Sequence, residues 1–132
     1  MTIAVAHNDS PEGRAALLHA AREAVFLRCP LAVLHVVDHS GPETDAQALT
    51  REIQQQLVDG GFGSLEWTLH TATDVDSRAS ALVDLTEDVS AELLVLGSRR
   101  RTPIGKFLLG STVQRVVLDA PVPVLVVKAP QP

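Results

Sequence analysis

The sequence predicts an α/β protein: a doubly wound, Rossmann-like sheet of five parallel strands in the order 3-2-1-4-5, with helices on both faces. Three observations predict it. Short, nearly continuous apolar runs (TIAVA, LAVLHVV, LLVL, VPVLVV) have the character of strands buried on both sides. Stretches with a helical apolar period separate them, giving the order βαβαβαβαβ. The strands are too short to bury themselves, so helices must cover the sheet, and right-handed crossovers place the reversal of direction between the first and fourth strands.

Taken in order, Thr2 to Ala6 forms the first strand, and HNDSPE is a turn leading into a helix with Ser10 as N-cap and Pro11 as first helical residue. Leu17, Ala20, Ala21, Ala24 and Leu27 carry that helix to about Arg28, where Cys29-Pro30 closes it. Leu31 to Val37 is the second strand. His39-Ser40-Gly41-Pro42 turns into a surface helix from Glu43 to Asp59, marked by Ala46, Leu49, Ile53 and Leu57 and broken by Gly60 and Gly61. Leu65, Trp67, Leu69 and Thr71 alternate with polar residues, as expected of an edge strand. Asp76 or Ser77 opens a third helix through Ala79, Leu82, Val83 and Val89, which leads to the Leu93 strand. Ser111, with Gln114 three residues on, fits a capping box and predicts a fourth helix from Ser111 to about Asp119. Val122 to Val127 is the last strand, and Ala129-Pro130-Gln131-Pro132 reads as a loose tail.

A length of 132 residues suits one core and one domain spanning residues 1–132. Nothing approaches an 18-residue apolar run, and Met1 to Val5 is too short for a signal peptide, so a cytoplasmic protein with no membrane partner is expected. The lone Cys29 excludes an internal disulfide and reads as an inert thiol. A net charge of −5, with three Phe, one Trp and no Tyr, argues against a nucleic-acid partner. His7, His19, His35, His39 and His70 show no ligand spacing with carboxylates, so no metal site is expected of them. GxxxxGK[ST] and GxGxxG loops are absent, as is a GxSxG elbow around Ser98 or Ser111.

The informative stretch is LLVLGSRRRTPIGKFLLGSTVQRVVL, residues 93–118. No acid lies between Glu92 and Asp119, whereas Arg99, Arg100, Arg101, Lys106 and Arg115 all do. This turn stands before a helix start, where free N–H groups favour phosphate or carboxylate. In a 3-2-1-4-5 sheet the ligand crevice opens at the carboxyl ends of the strands at the reversal, which puts His7 to Ser10 on one lip and Gly97 to Ser111 on the other.

These residues resemble the universal stress protein family over essentially the whole chain. Its signature, G-x2-G-x9-G-[ST], is met by Gly97, Gly110 and Ser111, with Arg100 replacing the second glycine. IAVAHNDSPEGRAALLHA resembles the family's opening strand and helix, LAVLHVVD its second strand, and RVVLDAPVPVLVVK its closing elements; Asn8 stands where an acid is usual. The resemblance implies an adenine nucleotide alpha hydrolase-like fold and a regulatory stress-response module holding ATP or a related nucleotide, with Mg as an accompanying ion. Val36 and Val37 would flank the adenine, Asn8 would lie near the nucleoside, and Gly97, Arg100, Gly110 and Ser111 would surround the phosphates. Arg99 and Arg100 could add charge-assisted hydrogen bonds. With no evident catalytic base, binding or at most slow ATP hydrolysis is expected. The resemblance also implies a homodimer through the last strand, Val122 to Val127, and admits a regulatory protein partner. The alternative is a dimeric interaction protein of the same fold that binds no nucleotide.

Overall fold

The computed structural model describes residues 1–38, 45–99 and 109–129. The elements run β1 (Ile3–His7), α1 (Pro11–Leu27), β2 (Leu31–Asp38), α2 (Ala46–Asp59), β3 (Trp67–Val75), α3 (Arg78–Asp88), β4 (Leu93–Ser98), α4 (Ser111–Asp119) and β5 (Val124–Lys128). The strands form one parallel sheet ordered β3-β2-β1-β4-β5. The expected architecture and strand order are therefore those of the structure.

Both faces of the sheet are covered, which explains the unbroken apolar runs. Odd-numbered positions of β1 and β2 (Ile3, Val5, Leu31, Val33) pack against Leu17 and Ala20 of α1 and Ile53 and Leu57 of α2. Even-numbered positions (Ala4, Ala32, Leu34), with Leu94 and Leu96 of β4, pack against Ala79 and Leu82 of α3 and Val116 of α4. Alternation along each strand thus feeds two cores. A strand read as half exposed could not serve both.

Several boundaries differ from the sequence-based expectation. The surface helix begins at Ala46, not Glu43, because the Asp45 carboxylate accepts from the Gln47 and Ala48 N–H groups at 3.0 and 3.2 Å. The edge strand starts at Trp67 and extends to Val75, its late start set by turns through Leu65, whose N–H bonds the Phe62 carbonyl at 3.1 Å. β5 begins at Val124, because Pro121 and Pro123 have no N–H to give the sheet. The capping box at Ser111 is not formed. Gly110 is the N-cap, Ser111 is the first helical residue, and the Gln114 amide donates instead to the Leu109 carbonyl at 3.2 Å. By contrast Ser10 and Pro11 open α1 as expected, and Ser77 caps α3.

The end of β4 is fixed by close approach. A Cβ on Gly97 would overlap the Glu12 carbonyl in the first turn of α1, so a glycine there lets strand and helix meet backbone to backbone. Gly97→Ala is accordingly expected to cost about 1–3 kcal/mol. Urea unfolding should show a lowered midpoint at unchanged slope; a loss below about 0.5 kcal/mol would mean that the contact yields freely.

Candidate functional site

The turn after β1 and the start of α1 form one wall of the switch point. Ser10 Oγ accepts from the Gly13 N–H at 2.9 Å and donates to Asn8 Oδ1. Gly13 is buried and carries no side chain, which leaves room for the Asn8 amide over the helix's first turn. The other wall is made where β4 ends and α4 begins. Between these walls and α3 lies a cleft of about 540 Å³, within the range of small-molecule sites.

Its floor is apolar, from Ala6, Val36, Leu82, Leu96 and Val113. Its polar groups come from His7, Asn8, Glu12, Arg78, Ser98 and Arg99, and from Gly110 to Thr112 at the head of α4. Three of the four helices have a side chain on their first N–H groups: Ser10, Asp45 and Ser77. The helix that opens on the cleft has none, because its N-cap is Gly110. Gly110 has φ −60°, and an added Cβ would meet nothing within 4 Å, so neither backbone strain nor crowding among the described residues requires a glycine there. What the glycine does is leave the α4 amides without a competing oxygen.

Of the residues singled out from the sequence, Asn8, Val36, Gly97, Arg99, Gly110 and Ser111 all line this cleft. Val37 does not; strand alternation turns it to the opposite face from Val36. Arg100 lies outside the described residues. Glu12, Arg78, Leu82 and Ser98 line the cleft without having been singled out. Glu12 carried no distinguishing signal, since an acid in a helix's first turn is ordinary helix-dipole chemistry. Arg78 could have been found only from the chain path that brings α3 over β2.

The Glu12 carboxylate lies 3.8 Å from the Arg99 guanidinium. The Arg99 side chain is 91% exposed, so water screens this pair and it holds the arginine weakly. Among the described residues no group of three or more His, Cys, Asp or Glu is gathered as a metal ion would need, and no helix is long and apolar enough to cross a membrane.

His7, which lines the cleft, and His35 sit side by side in the β1–β2 register, with their Nδ1 atoms 3.2 Å apart. Burial, reinforced by His35, lowers the His7 pKa to about 4, with Asp9 acting weakly against it. His35 is also lowered, by burial and then by the charge of Arg78. One neutral ring must donate and the other accept for the contact to be a hydrogen bond.

The family model for the universal stress protein family matches residues 1–128. A universal stress protein of Mycolicibacterium smegmatis is 34% identical over 130 residues, covering 96% of either chain. Some relatives are longer: the chain spans 54% of one from Methanocaldococcus jannaschii, to which it is 34% identical over 91 residues. A solved universal stress protein from Archaeoglobus fulgidus superposes with a TM-score of 0.77 at 28% identity, covering 97% of this chain and 98% of that one. The same fold occurs in a universal stress protein solved with cAMP (TM-score 0.75, 23% identity, 98% of both chains). It occurs again in an A. fulgidus protein solved with dAMP (0.70, 24%, 97% of this chain and 98% of that one).

Because folded His7 binds its proton less readily than the unfolded ring, at about 4 against 6.5, the unfolded state takes up more protons as pH falls through that window. Stability is therefore full above pH 6.5 and lost toward pH 4, by roughly 3 kcal/mol from this group. His7→Leu should flatten that limb of a stability-versus-pH curve. An unchanged limb would show that His7 is not its source.

Proposed function

This chain belongs to the universal stress protein family, and from that premise we propose that it is a cytoplasmic stress-response module binding an adenine nucleotide in the cleft between β1 and β4. The observation that carries the reading is the head of α4, the helix without a side-chain cap, opening into a cleft where Arg99 also stands. Oriented amides and a nearby guanidinium suit a phosphate. The apolar floor beginning at Val36 suits a base. The universal stress proteins solved with cAMP and dAMP support the choice of an adenine nucleotide as the class to test.

In this reading Gly97, Arg99, Gly110 and Ser111 face the phosphates, Asn8 meets the sugar, and Val36 lies under the base. Glu12 is the one carboxylate among the described lining residues, so a magnesium ion carried in by ATP would find one protein carboxylate besides the phosphates. The module acts by occupancy, with at most slow ATP hydrolysis. The half-buried apolar run Val124–Val127 lies on the sheet's edge strand, and Val117 and Leu118 of α4 are exposed at 42% and 79%. These support a homodimer that covers the β5 edge, through which occupancy would reach a regulatory protein partner. A second reading, a dimeric interaction protein without nucleotide, is favoured by the Glu12 carboxylate, which sets negative charge beside Arg99 in the cleft.

Calorimetric titration with AMP, cAMP and ATP separates the two. At least one should bind, and Gly110→Asp should weaken it more than tenfold while leaving thermal stability equal or higher, because Asp is a favoured N-cap that occupies the amides itself. Equal affinity in that variant would remove α4 from the site, and no binding at millimolar nucleotide would leave the interaction protein.

A further inference from the structure

Arg78 lines the same cleft as the α4 amides but comes from a different helix. It is the first residue of α3, which arrives from β3 and packs on β2 and β3. Its charge is felt at His35 of β2. Arg99, Gly110 and Ser111, by contrast, follow β4. One strand, β1, separates β2 from β4, so those two strands lie two spacings apart, about 10 Å. That is the scale on which a nucleotide separates its base from its phosphate.

Val36 of β2 and Leu82, one turn on from Arg78 in α3, line the cleft with it. No Phe, Tyr or Trp is among the described lining residues. A planar base lying on that aliphatic floor would need a second planar group to cover its outer face. A guanidinium is flat, delocalised and weakly hydrated, and stacks on rings where an ammonium does not.

We propose that Arg78 is the base-recognition residue of this cleft, laying its guanidinium on the face of the purine away from Val36, while the α4 end holds the phosphate. The assignment rests on the nucleotide reading given above and adds to it a residue and a division of labour. It makes Arg78 selective for ligands carrying a planar ring, whatever their phosphate count.

The test is titration of the full chain, wild type, Arg78→Leu and Arg78→Lys, with adenosine and with AMP, after thermal melts show equal stability. Both variants should weaken adenosine and AMP by the same factor, roughly tenfold, as expected for loss of a stacking partner. Lysine should not restore affinity although it restores charge. If AMP alone weakens and lysine rescues it, Arg78 serves the phosphate and the proposal is overturned. Unchanged affinity for both ligands in Arg78→Leu overturns it as well. Wild-type protein that binds neither ligand defeats the nucleotide reading itself, and Arg78's role with it.

Discussion

The amino end of α4 is the constraint on which the rest depends. A helix terminus carries unpaired N–H groups that must find acceptors, and in α1, α2 and α3 a Ser or Asp side chain supplies one. At α4 the cap is Gly110, which supplies no side-chain acceptor, and the helix's first residues line a cleft instead. Because the sheet reverses between β1 and β4, that terminus is held where two crossovers diverge and no helix can fill the gap. An open terminus and an open crevice coincide, so the fold offers an anion both charge and room.

Close packing elsewhere keeps the crevice in shape. Gly97 lets the end of β4 rest on the backbone of α1, and Gly13 makes space for Asn8 to bond with Ser10. The first contact joins the two walls, the second orders one of them, and Glu12 and Arg99 face each other across the walls at 3.8 Å. The charge pattern is mixed: Arg78 and Arg99 line the cleft, and so does the Glu12 carboxylate, which lies beside Arg99. Such a site discriminates by where a ligand's negative charge lies, more than by how much of it there is. His7 and His35, kept neutral by burial, add no positive charge beneath it at neutral pH.

The fold was legible because its signals are redundant. Four apolar runs, helical periods between them and Pro or Gly at the breaks all point to the same alternation, and in the expected 3-2-1-4-5 order handedness places the reversal between the first and fourth strands. Boundaries were less legible where two local signals compete. Ser111 followed by Gln114 looks like a capping box, yet Gly110 takes the cap, and the Gln114 amide turns back to Leu109. Glu43 continues a helical period that the Asp45 cap cuts short. In the cleft, residues near the motif were readable from spacing, but the choice between Val36 and Val37 depends on which face each takes, and periodicity hides this when both faces are buried. Arg78 and Glu12 enter the cleft by tertiary placement alone, one from α3 and one from α1.

In the proposed nucleotide complex the head of α4 receives the ligand's anionic group. Backbone amide shifts followed by NMR during titration with AMP test that placement. The largest saturable changes are expected at Gly110, Ser111, Thr112 and Val113, with smaller ones at Asn8 and Val36. Saturable changes confined to other surfaces, with the α4 amides unmoved, would contradict it.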